Sequence, residues 1–125
     1  MNNAIILVAR LLLAQLFLLA GLRKISGYAA TQAYMEGMGV PSMLLPLVIL
    51  LEVGGGLALI LGILTRWTAM VLAAFCVLAA MLFHSNLAEQ AQVIMLMKDF
   101  AITGGLLMLY VHGPGAFSLD ARRAG

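Results

Sequence analysis

The sequence predicts an all-α, polytopic membrane protein, a bundle of four transmembrane helices, on three observations. Its 125 residues are 64% apolar and only 10% charged, with a mean hydropathy of +1.09; ordinary globular chains run at about 45 to 50% apolar and about 25% charged. Four long apolar stretches, about residues 4–22, 42–64, 67–84 and 93–111, each approach the roughly 20 residues that cross a bilayer as a helix. All connections but one are short, which predicts a single membrane domain over 1–125.

The second stretch organises the rest. LLPLVILLEVGGGLALILGIL, Leu44 to Leu64, sets one acid, Glu52, amid apolar residues. An ionised carboxylate at that depth costs roughly 2.5 to 3.5 kcal/mol on insertion scales, so Glu52 should face protein and find a partner. Gly55 and Gly56 follow three and four residues later on the same side of a helix. A neighbouring helix can therefore come close to the acid.

The first stretch, Ala4 to Leu22, lacks the basic start and A-x-A end of a secretory signal and carries Arg10 in its apolar run, which reads as a retained helix. Arg10, Ala14, Phe17 and Gly21 share one face, a small-residue setting that favours inward pairing of the arginine over snorkelling to the interface. From Arg23 to Pro41 runs the one long connection. Ser26 is placed to cap a short interfacial helix over about Tyr28 to Met35, which Gly37, Gly39 and Pro41 would end.

Thr65, Arg66 and Trp67 read as a tight turn that makes helices two and three an antiparallel hairpin, with Trp67 an interfacial anchor. On the third helix Ala69, Ala73, Cys76, Ala80 and His84 form a small-residue stripe ending in histidine. Ser85 to Gln92 is polar and reads as a loop. The fourth helix carries Lys98 and Asp99, about 100° apart around its axis. Lys98 shares a face with Ala101, Ile102 and Gly105, and the last residues, FSLDARRAG, read as a short basic tail.

Four spans put both termini on one side. Arg66, Arg122 and Arg123 on that side outnumber Arg23 and Lys24 on the other, so the positive-inside rule predicts cytoplasmic termini. Lys24, Arg66 and Trp67 are assigned to the interfaces. Arg10, Glu52, Lys98 and Asp99 sum to zero charge and are expected to meet in a buried network, with His84 at its edge. Such a network either fixes how the helices pair or binds a ligand or moves protons.

Several chemistries lose support. One cysteine, Cys76, in an apolar run permits no dithiol exchange. His84 and His112 end different helices on opposite sides, about 30 Å apart, too far to share one haem. No cluster has metal-ligand spacing. A net charge of +2 without a basic patch predicts no nucleic-acid partner.

Arg10, FLLAGLRKISGY from Phe17 to Tyr28, YMEGMGVP, Glu52 beside GGG, LGILTRW, FH, KDF with GG, and the closing HGPGAFSLD together resemble the DoxX family of small four-helix bacterial membrane proteins, over essentially the whole chain. The family's typical positions fall on Arg10, Lys24, Glu52, Arg66, His84 and Lys98; Asp99 departs from the asparagine common there. DoxX-like proteins are similar to a membrane subunit of thiosulfate:quinone oxidoreductase. The resemblance thus implies a bacterial inner-membrane location and a redox or sulfur-stress role.

The expectation is an accessory or anchor subunit of a redox system, not catalytic unaided, whose charged interior holds a small polar-headed ligand. The residues themselves make no cofactor evident; quinone is the candidate the resemblance leaves open. In that reading Arg10 and Lys98 donate to a carbonyl or anion and Glu52 exchanges a proton. The alternatives are a scaffold that binds partner proteins and a small transporter or proton pathway. Expected partners are the lipid bilayer and either a second copy or a redox-enzyme subunit.

Overall fold

The computed structural model describes residues 2–83 and 88–124. Its elements are α1 (Asn2–Ser26), α2 (Tyr28–Gly37), a 3-10 turn (Ser42–Leu44), α3 (Leu45–Leu61), α4 (Thr65–Phe83), α5 (Gln90–His112) and α6 (Leu119–Ala124). Four of these helices are long and apolar enough to cross a membrane: α1, the 3-10 turn continued by α3, α4, and α5. The chain is an all-α bundle with the composition of a polytopic membrane protein.

Small residues set the closest packing. α1 lies antiparallel against α3, and at two levels the backbones approach so nearly that only glycine fits. A Cβ on Gly56 would stand 2.8 Å from the Leu18 amide nitrogen and 3.1 Å from the Ala14 carbonyl. One on Gly21 would stand 2.6 Å from Val53 Cγ2 and 3.2 Å from Glu52 Cβ. Gly55 instead receives the Leu72 side chain of α4. Without a hydrophobic drive between helices in lipid, such close dispersion contact is what holds them.

The buried face of α1 is Arg10, Ala14, Phe17 and Gly21, the face read from the sequence. On α4 the buried set contains Ala69, Ala73, Cys76 and Ala80, joined by Thr65 and Leu72. α5 packs chiefly on α4 and only slightly on α1. It buries just Leu106 and Leu109.

Several local expectations change. Ser26 does not cap α2; Gly27 stands at that position, and the Ser26 hydroxyl donates back to the Arg23 carbonyl at 3.0 Å. The turn between α3 and α4 comes earlier than Thr65–Trp67. Gly62, at φ 72°, ends α3, and the Ile63 amide closes onto the Ala58 carbonyl at 2.9 Å, a stop of the Schellman type. Thr65, Arg66 and Trp67 already belong to α4 because its first amides are capped from elsewhere: Asp120 accepts from Leu64 N–H and Thr65 N–H, each at 2.8 Å. Gln90 to Gln92 are helical rather than loop.

The expected basic tail is instead part of the fold. Gly113 and Gly115, at φ 77° and 81°, turn the chain after α5. The Ser118 hydroxyl donates to the Gly115 carbonyl at 2.8 Å and accepts from the Ala121 amide at 3.1 Å, which starts α6. The segment folds over the bundle end that carries the start of α1 and the α3–α4 turn.

Candidate functional site

Two clefts stand out: one on the α2 side, walled by α1, α2, α3 and α4 with Asp99 of α5, and one between α1 and α5 at the other end, where Leu13 lies over Gly105, its Cδ2 3.3 Å from the position of a Cβ there. The one on the α2 side, of about 320 Å³, carries most of the charged chemistry. Apolar side chains such as Phe17, Leu45 and Phe75 form most of its wall, into which Lys24, Glu52 and Asp99 are set.

The register of α1 on α3 produces the central contact. Gly21 leaves room for Glu52, and Lys24, one turn further along α1, reaches its carboxylate, with Nζ 2.7 Å from Oε1. The Glu52 side chain is 5% exposed and that of Lys24 29%. The acid is thus paired inside protein, while the ammonium keeps one side toward the open end of the cleft. Asp99 is half-buried in the wall of the same cleft, and Cys76 also lines it.

α2 forms the roof. Thr31, Tyr34 and Met35 line the cleft from above. The Tyr34 ring stacks on Phe83 at the end of α4, with centroids 5.5 Å apart and planes 24° from parallel. The interfacial helix therefore fastens across the mouth.

The expected single network is divided in two. Arg10 is 1% exposed and inward as expected, but it pairs with no carboxylate in the cleft. Its guanidinium donates to three carbonyls: Pro114 at 2.7 Å through Nη1, and Ile60 at 3.2 Å and Phe117 at 2.8 Å through Nη2. This ties α1, α3 and the segment after α5 at the far end of the bundle. Such planar, forked donation is what suits arginine to several carbonyls at once.

Lys98 is not in the core. It is exposed on α5, since Asp99, Ile102, Leu106 and Leu109 take the inward face and leave Lys98 and Ala101 to the outside. Lys24, assigned to the interface, is the partner of Glu52. Arg66 and Trp67 are exposed, Trp67 at 74%. His84 falls outside the described residues. His112 is the last residue of α5, and among the described residues no three His, Cys, Asp or Glu side chains gather as a metal site would require.

Two residues take roles the sequence reading did not assign. Asp120, inside the SLD motif, is the cap of α4. Tyr34, expected at the surface with the rest of the Tyr28–Met35 helix, is 51% exposed and also lines the roof of the cleft. The available signal for the Lys24–Glu52 pair was register: antiparallel helices matched through Gly21 and Gly56 bring those two side chains together.

Comparison with known proteins settles the family. The DoxX family model matches residues 5–85. The chain belongs to the DoxX family. Among the relatives of this DoxX protein, inner membrane protein YqjF of Escherichia coli (strain K12) is 58% identical over 115 residues, 92% of this chain and 88% of the relative. Inner membrane protein YphA of the same strain is 30% identical over 125 residues, 94% of this chain and 89% of the relative. No solved structure matches. With its four apolar helices, the DoxX chain is a multi-pass inner-membrane protein.

Proposed function

We propose that this DoxX protein is an accessory or anchor subunit of a quinone-linked or oxidative/sulfur-stress redox system, and that its α2-side cleft holds a membrane-dissolved molecule with an apolar body and a polar head. One observation carries the reading: the Lys24–Glu52 pair, at 2.7 Å, stands in the wall of an otherwise largely apolar cavity of about 320 Å³. Ligand sites combine an apolar lining with a few polar groups in this way, and intramembrane ionisable groups mark function more often than packing.

The residues fit a quinone head. When bound, it supplies carbonyl acceptors and the capacity to take up electrons and protons. Lys24 is the donor available to a carbonyl, and Glu52 is the group able to hold a proton beside it. Tyr34, Phe75 and Phe83 offer flat apolar surface, and α2 covers one side of the cleft.

The test is mass spectrometry of extracts from protein purified out of native membranes. Quinone is expected to copurify with the parent chain and to be lost from Glu52→Gln and Lys24→Met proteins that insert and remain folded. Equal quinone in parent and variants would end this reading.

A second reading, a scaffold for a partner subunit or second copy, draws on the exposed Lys98 of α5, the spanning helix least enclosed by its neighbours. Loss of a copurifying protein on Lys98→Met, with retention on Glu52→Gln, would favour it.

A further inference from the structure

A second cleft lies between α1 and α5 at the end capped by the GPG segment. It is a cleft of about 380 Å³, walled chiefly by apolar residues such as Ile5, Ala9 and Met108, with Asn2, Arg10 and His112 as its polar members. None of the described residues lining it is acidic. Gly113 forms part of the wall, and the Arg66 guanidinium lies against it, with Nε and Nη2 each 3.2 Å from the position a Cβ would take. A basic group therefore stands beside an apolar groove at the end of the spanning helices.

We propose that this cleft binds an anionic phospholipid, an acyl chain lying in the groove between α1 and α5 and the phosphate resting at Arg66, His112 and Asn2. An acyl chain gains little by leaving other chains for an apolar groove, since both surroundings are equally oily. Selectivity must therefore come from the head, and basic side chains at the membrane surface attract anionic lipids.

Of the charged groups at this end, Arg10 and Arg66 are basic and Asp120 is acidic. Arg10 contributes positive charge from within the wall, while its terminal nitrogens are taken up by the Pro114, Ile60 and Phe117 carbonyls. It thus biases the cleft toward an anion without gripping one. Asp120, the acid at this end, turns both oxygens onto the first amides of α4. The cleft is separate from the one that holds Lys24 and Glu52, so the proposal stands apart from the quinone reading.

The experiment uses the full chain in a neutral detergent, with thermal unfolding followed after addition of phosphatidylglycerol or phosphatidylcholine of matched acyl chains. Phosphatidylglycerol is expected to raise Tm by a few degrees more than phosphatidylcholine, an advantage that shrinks at high salt. Arg66→Gln should abolish the difference and Arg66→Lys should keep most of it. Met108→Trp, at an exposed position lining the groove, should abolish it by occupying the chain's place, whether or not Arg66→Gln folds. Lys98→Gln should leave it intact. Equal shifts from the two lipids, a preference that survives both Arg66→Gln and Met108→Trp, or one lost with Lys98→Gln, overturns the proposal.

Discussion

Lys24 Nζ sits 2.7 Å from Glu52 Oε1, a pairing between the last turn of α1 and the middle of α3 made possible by the missing side chain of Gly21. The partners are unequally placed, the acid deep and the amine near the interface. Removing one should not cost the same as removing the other.

Lys24→Met leaves Glu52 buried without its counter-charge and should lower unfolding stability in detergent by about 3 kcal/mol, near the lower end for a broken buried pair because the carboxyl can take up a proton. Glu52→Gln should cost less, since the Lys24 ammonium can turn outward to the interface. The double variant should lose less than the two single losses added together. Thermal unfolding of the four proteins as a double-mutant cycle measures this, and strict additivity would contradict the pairing.

Asp120→Ala should destabilise the chain by about 1 to 2 kcal/mol, the usual range for losing a helix cap, since two amides at the start of α4 lose their acceptor. Asp120→Asn retains one carbonyl oxygen and should lose about half as much. Limited proteolysis is the sensitive readout, with cleavage expected to move into the 113–122 segment. Arg10→Lys should open the same segment, because one ammonium cannot reproduce the forked donation to three carbonyls.

Neighbouring glycines should behave in opposite ways. A Cβ on Gly56 meets α1 backbone, which cannot swing aside, so Gly56→Ala should cost about 1 to 3 kcal/mol. Gly54, two residues earlier, meets nothing within 4 Å, and Gly54→Ala should stabilise α3 by up to about 1 kcal/mol. Similar Tm values for the two proteins would count against the α1–α3 contact.

Thr65 is fully buried, and its hydroxyl oxygen has no hydrogen-bond partner among the described residues. Exchanging that group for a methyl removes a desolvation cost at constant shape. Thr65→Val should therefore hold stability or raise it by up to about 1 kcal/mol, and a clear drop in Tm would reveal a partner for the hydroxyl.

Individual residues show how much could be read in advance. The inward face of α1 and the alanine stripe of α4 were legible because small residues at helical spacing permit close approach. The same rule held only in part on α5. Of Lys98, Ala101, Ile102 and Gly105, read as one inner face, Ile102 packs on the core and Gly105 meets Leu13, while Lys98 and Ala101 turn outward and Leu106 and Leu109 go inside. In a bilayer both sides of a helix are apolar, so hydrophobic periodicity cannot choose between them. The GPGxxSLD ending could be recognised as a motif, but its work as acceptor of Arg10 and cap of α4 spans up to 107 residues of chain.

From the sequence by itself came the class of molecule, its spans, the need of Glu52 for a partner and the family resemblance, because these follow from local composition and from the cost of charge in lipid. Only the tertiary structure decided which charges meet. Pairing depends on the axial register and rotation of one helix against another, fixed by where glycines let backbones touch, and it gave Glu52 to Lys24, Arg10 to backbone carbonyls and Lys98 to the outer surface.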